Sequence, residues 1–583
     1  MIHSSLSVTS PSGQFFPKAG NPSLGAQRLA DFLQVCSDQQ VTDIKALINK
    51  NQQNHDLLCA IFANSPYLSR LLSKDPAFAA RLLAAEPADL FQNILTELEQ
   101  KVPQITDTAL ISKTLRQAKA KVALITSFTD MAGVWSLNQV TRALTEFAEL
   151  SVKLAVSHLL RVEMVKGNLA LPPHLRDTPT DKLLASPDLA RDTGYVVLAM
   201  GKMGGFELNY SSDIDLIVLF DNDIVDYTGR KTAQDLFIRL TRNLMKMMQE
   251  RTADGYVFRT DLRLRPDPGA TAIALSMEGA EIYYQSMGLN WERAAMIKAR
   301  PVAGDLAAGD AFLDRIKSFV WRRHLDYVAL EDIYAIKKLI HQHHGHKQIG
   351  FAGQDVKLGH GGIREIEFYA QIFQLIAGGR EPELRIPATC DALNALVKNN
   401  KISPEDNEKL QSAYVYYRTL EHRLQMINDD QTHSLPDTPE ELDRVTRFMG
   451  YDDQKTFADD LQQHLHTVHD LFTDLLKESH QEEDQPDELL AFPPDIYNKT
   501  TIEVIKKAGF DDPQPIYDIM QKWLLGRYRS CRTERARGLL HTLIPDILFH
   551  FGKQTNRDVS FLVSPPGCSC FPLSRLSPGY WNC

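Results

Sequence analysis

What this sequence lacks narrows its class before any motif is considered. Over 583 residues it has no apolar run near the roughly 18 residues that a membrane-spanning helix needs. Its net charge of -10 gives no basic excess of the kind that nucleic-acid binders carry. Its seven cysteines form no paired framework, and its N-terminus has no basic-then-apolar secretory signal. These absences predict a cytoplasmic protein with no membrane and no nucleic-acid partner.

The patterns that are present change along the chain. Apolar residues three and four apart indicate helices before residue 190, whereas short apolar runs at 195–200 and 214–220 and alternation at 256–265 indicate strands. The predicted fold class is therefore α+β, a mixed-sheet core embedded in a mainly helical, multidomain chain. The predicted segments are a disordered N-terminus (1–24), a helical region (25–190), the core (191–305), a helical domain (306–477), an acidic linker (478–495), the start of a middle helical region (496–555) and an atypical tail (556–583).

The tail breaks with the rest of the composition. Cys568, Cys570 and Cys583 lie there among serine, proline and glycine, and the helical period is lost. This break favours a truncation or frameshift product over a genuine tail, and both interpretations stay open.

The first chemical motif joins a glycine turn to paired aspartates. Asp213 and Asp215 stand two residues apart at the mouth of an apolar strand, so their side chains face the same side. Two carboxylates on one face repel each other unless a cation lies between them, and Mg²⁺ is often shared between carboxylates and substrate phosphates. The Gly204-Gly205 turn predicts backbone N–H groups that approach a phosphate.

A third carboxylate is expected from a neighbouring strand. In the string RTDLRLRP, alternation places Arg259, Asp261, Arg263 and Arg265 on one face. Asp261 would complete a two-metal site, and the arginines after it would contact phosphate oxygens. A solvated turn is the alternative for any single Asp-x-Asp pair, but the three coincident features favour a site.

A second motif, KLGHGGIREIEF, leads from a glycine turn into an amphipathic helix. Such a turn exposes N–H donors and the positive end of the helix dipole to an anion. Lys357 precedes the turn, and Arg364 and Glu367 share a helical face. The alternative is an ordinary capped helix with a surface ion pair, and the physical argument alone leaves both open.

Several strings, GKMGGFELNYSSDIDL, DLRLRPDPG and WERAAMIKARPVAGD, closely resemble the glutamine synthetase adenylyltransferase family, as do KLGHGGIREIEF and LEHRLQMINDDQTHSLP. The resemblance implies a nucleotidyltransferase core in which Asp213, Asp215 and Asp261 are catalytic and hold Mg²⁺, two ions in all. The residues assigned to phosphate or nucleotide contact are Gly204, Gly205, Ser212, Arg263, Arg265, Arg293, Lys298, Lys357, Arg364, Glu365 and Glu367.

The resemblance also implies a direction for the reaction. Members of this family carry two catalytic halves, of which the N-terminal one removes AMP from a tyrosine of glutamine synthetase, with phosphate as acceptor and ADP as product. The other half adds AMP from ATP, and PII-type signalling proteins set the balance. The catalytic string occurs once here, and the resemblance covers about 25–560, so we expect adenylyl removal without ATP-dependent adenylylation. The alternatives are a uridylyltransferase acting on a PII-type protein and an inactive fragment that binds glutamine synthetase.

Overall fold

A computed structural model describes most of the chain. The predictions for the tail (556–583), for residues 1–14 and for nearly all of the acidic linker (478–495) lie outside the described residues. The described residues are 15–176, 186, 189–322, 349–478, 499–524, 527–528, 531, 540, 543–544 and 547–553.

The chain divides into two compact units. The first joins Met1–Glu281, Glu292–Arg323 and Gln348–Glu478, and it contains the three aspartates and both sequence motifs. This unit therefore combines most of the three segments that the sequence patterns separated, namely the helical region, the core and the helical domain after it. The second unit consists of Ile282–Trp291, His324–Lys347 and Ser479–Cys583.

Helices build the N-terminal part of the first unit, and proline opens several of them. Proline suits the first helical turn, where its missing N–H costs no hydrogen bond. Residues 15–24 are not disordered as predicted: α1 begins at Pro22, and the Gly20 N–H donates to Asn64 Oδ1 at 3.0 Å. The helices are α1 Pro22–Val35, α2 Asp38–Lys50, α3 Gln52–Asn64, α4 Pro66–Lys74, α5 Pro76–Ala84, α6 Pro87–Lys101, α7 Thr108–Met131 and α8 Leu137–Val165.

A mixed five-stranded sheet follows, as the α+β fold class predicted. Its order is β3-β2-β1-β5, with β4 paired to β2; β1 runs antiparallel to β2 and β5, and β2 runs parallel to β3 and β4. Every residue of β1 is buried, so the sheet lies within the core. The elements are β1 Tyr195–Ala199, α9 Gly201–Gly204, β2 Ile214–Phe220, α10 Ala233–Gln249, β3 Thr260–Asp261, β4 Leu275–Ser276, α11 Met277–Ser286, α12 Asn290–Met296 and β5 Arg300–Gly304.

The strand predicted over 256–265 shrinks to the two residues of β3. Before it, the N–H groups of Val257 and Phe258 donate to the Met248 carbonyl at the end of α10. After it, the Arg263 N–H donates to Asp261 Oδ1 at 2.8 Å, a turn that a side chain makes with its own backbone. Local hydrogen bonds thus replace the ladder that alternation predicted.

Helices complete the first unit and make up the described part of the second. In the second unit, Ile505, Ile516, Met520 and Trp523 belong to one buried cluster. No helix among the described residues is long and apolar enough to cross a membrane. The remaining helices are α13 Leu306–Arg315, α14 Lys317–Val320, α15 Ile363–Ala377, α16 Thr389–Lys398, α17 Pro404–Asn428, α18 Pro439–Phe448, α19 Gln454–Glu478, α20 Lys499–Lys507 and α21 Pro513–Leu524.

Candidate active site

Two of the three aspartates lie side by side on neighbouring strands. Asp215 on β2 is the register partner of Asp261 on β3. Asp213 stands just before β2 begins, and the partly exposed Ser212 directly precedes it. Because the parallel pairing sets these backbone positions, the sheet itself brings the three carboxylates into one region. We call Asp213, Asp215 and Asp261 the aspartate trio.

The carboxylates of the trio repel one another. The pKa of Asp215 is raised to about 6, first by burial and then by the negative charges of Asp261 and Asp213. The cations of Lys357 and Arg364 act in the opposite direction. A divalent cation would relieve the repulsion, because it offsets the charge that the trio shares. An all-oxygen donor set with excess negative charge therefore fits Mg²⁺.

An arginine engages each outer carboxylate. Arg259 Nε donates to Asp213 Oδ1 at 2.8 Å, and Arg263 Nη2 donates to Asp261 Oδ2 at 2.6 Å. Burial would raise the pKa of Asp261, but the side-chain and backbone hydrogen bonds from Arg263 outweigh it and lower the pKa. With its amide nitrogen turned toward the site, Gln431 lies 3.2 Å from Asp213 Oδ1. Arg263 thereby favours the ionised form of Asp261.

The trio does not close around one point as strand alternation predicted. Within the described part of the chain, one group of three metal-ligating side chains brings its donor atoms within 4.8 Å of one another, and that group lies elsewhere. The separation of the three carboxylates is consistent with the two arginine ion pairs, since Asp213 and Asp261 each bind their own arginine. An ion shared by the whole trio would compete with Arg263, whose side chain is 66% exposed, for Asp261.

The predicted phosphate cradle at the glycine turn is wrong. The N–H groups of Gly204 and Gly205 donate to carbonyls of the preceding turn at 2.9 and 3.1 Å. A Cβ at Gly204 would clash with the Lys298 carbonyl, so this glycine permits close packing. The bare backbone at the trio belongs to Gly201 instead, with φ +52°, where a Cβ would lie 2.6 Å from Asp215 Oδ2.

Two predicted phosphate ligands are engaged by the backbone instead. Arg265 donates to four carbonyl groups between residues 262 and 272, at 2.7 to 3.3 Å, and so closes the loop after β3. Arg293 is fully buried and donates to the carbonyls of Phe319 and Val320 at 3.0 and 3.3 Å. Because carbonyls already accept these N–H groups, both arginines organise loops rather than contact phosphate.

Lys298 and Glu367, two further predicted phosphate contacts, are buried in ion pairs. Lys298 Nζ lies 2.6 Å from Glu207 Oε2 and 3.5 Å from Glu367 Oε1. Burial would raise the pKa of Glu367, but Lys298 and other cations lower it to about 2. Among the buried side chains, three cations face three carboxylates, and the half-exposed Arg364 also lies 3.7 Å from Glu367. The members of this buried ion network are Lys202, Lys298, Arg418, Glu207, Glu367 and Glu421.

The turn before α15 supplies charge but no open anion site. The first N–H groups of the helix, at 363–365, donate to carbonyls within 356–362 at 2.9 to 3.0 Å. The side chains of Lys357 and Arg364 nevertheless favour ionised Asp215. The second motif thus acts on the trio through the charges of these two side chains, and not through the backbone N–H groups of its turn.

Glu365, the remaining predicted contact, is buried. It accepts the Gly361 N–H at 3.1 Å and lies 3.4 Å from His469 Nδ1. This position does not support a phosphate contact, because a buried carboxylate repels an anion.

Sequence reasoning missed three partners. Strand alternation placed Arg259 on the same face as Asp261, yet its side chain binds Asp213. The available signal was that Arg259 directly precedes a strand parallel to β2. Gly201 directly follows β1, where a strand-to-helix turn approaches the neighbouring strand. Glu421 binds Lys202 from 219 residues away, and no local spacing could reveal it.

Comparisons with known proteins agree with the motifs. The family model of glutamate-ammonia ligase adenylyltransferase matches residues 55–315, and that of GlnD PII-uridylyltransferase matches 335–476. The bifunctional glutamine synthetase adenylyltransferase/adenylyl-removing enzyme of Rhodopseudomonas palustris (strain TIE-1) is 40% identical over 548 residues, which is 93% of this chain and 53% of the relative. The enzyme with the same description from Rhizobium meliloti (strain 1021) is 41% identical over 548 residues, 92% of this chain and 54% of the relative.

The chain spans about half the length of the curated relatives it matches. The similarity nevertheless runs through nearly all of this sequence and includes the strands that carry the aspartate trio. The chain belongs to the glutamine synthetase adenylyltransferase family.

Proposed function

We propose that this chain removes AMP from an adenylylated tyrosine of glutamine synthetase by phosphorolysis and releases ADP. The observation that carries the proposal is the register pairing of Asp215 with Asp261, with Asp213 just ahead of β2. The relatives are described as adenylyl-removing as well as adenylylating enzymes. The cytoplasm is the proposed compartment, and a PII-type protein is the proposed regulator.

In this reaction an oxygen of inorganic phosphate attacks the phosphorus of the tyrosyl-AMP ester. The new P–O bond completes the diphosphate of ADP, the bond to the tyrosine oxygen breaks, and that oxygen takes up a proton. The trio would hold two Mg²⁺ ions, which would offset charge on the phosphoryl group. Catalysis then requires positioning and charge rather than a nucleophilic side chain.

The cations beside the trio have distinct proposed roles. Lys357 has no hydrogen bond or ion pair from its ammonium group among the described residues, so it is available to an incoming phosphate. Arg364 is already 3.7 Å from Glu367 and lies over the Phe368 ring, which orients it. Arg263 would release Asp261 to the metal and contact the substrate phosphate instead.

A direct assay tests the proposal. The purified chain is mixed with adenylylated glutamine synthetase, Mg²⁺ and phosphate, and ADP is measured. We expect ADP from the unaltered chain and a loss of at least about 1,000-fold in Asp213→Asn and Asp215→Asn, because the metal ligands act in the transition state. Asp223→Asn is the matched control, since this aspartate lies in the exposed loop after β2.

Retained ADP release by Asp215→Asn at saturating Mg²⁺ would refute the assignment. Release of AMP in place of ADP would show that water is the acceptor, and phosphorolysis would then be wrong while the site stands. Circular dichroism of each variant separates lost chemistry from lost fold.

A uridylyltransferase acting on a PII-type protein is the second candidate. It is favoured by the match of residues 335–476 to the PII-uridylyltransferase family model. Labelled UTP offered together with a PII-type protein distinguishes the two, because transfer of UMP would support this candidate. If the chain binds glutamine synthetase but turns over neither substrate, the interpretation as an inactive binding fragment is correct.

A further inference from the structure

We propose that His360, Glu365 and His469 form a binding site for a divalent transition-metal ion, separate from the aspartate trio. Within the described residues, their potential donor atoms all lie within 4.8 Å of one another. His360 comes from the glycine turn, Glu365 from the first turn of α15 and His469 from the facing helix α19. The three ligands would therefore tie two helices and a turn together.

The local geometry orients these side chains toward one another. His469 Nδ1 lies 3.4 Å from Glu365 Oε2, and the rings of His360 and His469 are 4.9 Å apart at 73°. The Gly361 N–H donates to the same carboxylate oxygen at 3.1 Å and so sets its direction. A Cβ at Gly361 would clash with the Leu465 carbonyl, so only glycine lets the turn approach α19 this closely.

Tyr417 provides an independent observation. Its side chain is fully buried, and its hydroxyl has no hydrogen-bond partner among the described residues. Its ring centroid lies 6.2 Å from that of His464, which is on the same helix as His469. Burial and then the charge of Glu365 raise the pKa of Tyr417. A buried hydroxyl without a partner is costly. A water molecule bound to the metal ion would give the hydroxyl a hydrogen-bond partner.

The donor types identify the class of ion. Two imidazole nitrogens and one carboxylate oxygen suit zinc and similar transition metals, and three protein ligands leave a position for water. Mg²⁺ prefers all-oxygen ligands, as in the aspartate trio. The two sites should therefore discriminate between the two kinds of ion.

Zinc titration of the full chain tests the site. The protein is stripped with a chelator, dialysed and titrated with ZnCl₂ in excess Mg²⁺, which occupies the trio. We expect one tight zinc equivalent, and weakening of at least about 100-fold in His469→Ala and His469→Gln, which remove a ligand. His466→Ala is the matched control, because His466 is an exposed residue on the same helix.

Two further measurements do not depend on the ratio of zinc affinities between variants. Co²⁺ bound in place of zinc should give visible absorption bands that His469→Gln lacks, and zinc should raise the melting temperature of the unaltered chain but not of this variant. The proposal is overturned if the unaltered chain binds no stoichiometric zinc, or if His469→Gln binds zinc as tightly. In either case the three side chains form only a hydrogen-bonded packing contact.

Discussion

The aspartate trio and the buried ion network are both clusters of charge within the first unit, but they differ in balance. In the network, each buried carboxylate has cationic partners, and Lys298 and Arg364 lower the pKa of Glu367 to about 2. In the trio, the partly buried central carboxylate meets two more negative charges, and its pKa rises to about 6. Carboxylates that already have cationic partners stabilise the fold. The excess negative charge of the trio, by contrast, still favours the binding of a cation. The opposite pKa shifts of Glu367 and Asp215 reflect this difference in local charge.

Breaking the network should have the largest effect on stability. Lys298→Met leaves Glu207 and Glu367 without this cation in a buried setting, and we expect a loss of about 3–5 kcal/mol in the free energy of unfolding. Urea denaturation measures it. Lys317→Met is the matched control, because the exposed pair of Lys317 with Asp314 should contribute less than about 1 kcal/mol. Equal losses in both variants would show that the network does not stabilise the fold.

Removing the central charge of the trio should have an intermediate effect that depends on pH. The folded pKa of Asp215 is about 6, against an ordinary value of 3.8, so folding favours its protonated form. The resulting stability is full below pH 3.8 and is lost as pH rises through 6. Without metal, the unaltered chain should lose up to about 3 kcal/mol relative to Asp215→Asn between pH 4 and pH 8.

Denaturation of chelated protein at both pH values checks this, and added Mg²⁺ at pH 8 should stabilise the unaltered chain but not Asp215→Asn. Asp223→Asn, in the exposed loop after β2, is the control variant at both pH values. A constant difference between the unaltered chain and Asp215→Asn across this range would contradict the proposed repulsion within the trio.

The smallest expected effect on stability comes from Arg263→Ala. Its pair with Asp261 is largely exposed on the arginine side, so the free energy of unfolding should change by less than about 1 kcal/mol. Mg²⁺ should nevertheless bind more tightly, because Asp261 is released to the ion. Magnesium titration followed by melting temperature measures this, with Lys74→Ala as the control for an exposed pair. Unchanged or weaker Mg²⁺ binding would mean that Arg263 does not compete for Asp261.

Local patterns were sufficient where one element decides the structure. The apolar runs predicted β1 and β2, and the glycine turn with the residue spacing after it predicted the amphipathic helix α15. They failed over 256–265, because hydrogen bonds to Met248 and the turn at Asp261 replaced strand pairing there. Alternation describes the solvent exposure of a segment and not the partners of its backbone.

The sequence by itself determined the family and the α+β class, because these depend on residue type and short spacing. Only the tertiary structure decided which cations lie at the trio. The charges of Lys357 and Arg364 favour the ionised form of Asp215, whereas Lys298 is paired inside the protein and Arg265 and Arg293 bind backbone carbonyls. The physical reason is that a cation's role depends on the nearest acceptor, and that acceptor comes from distant parts of the chain.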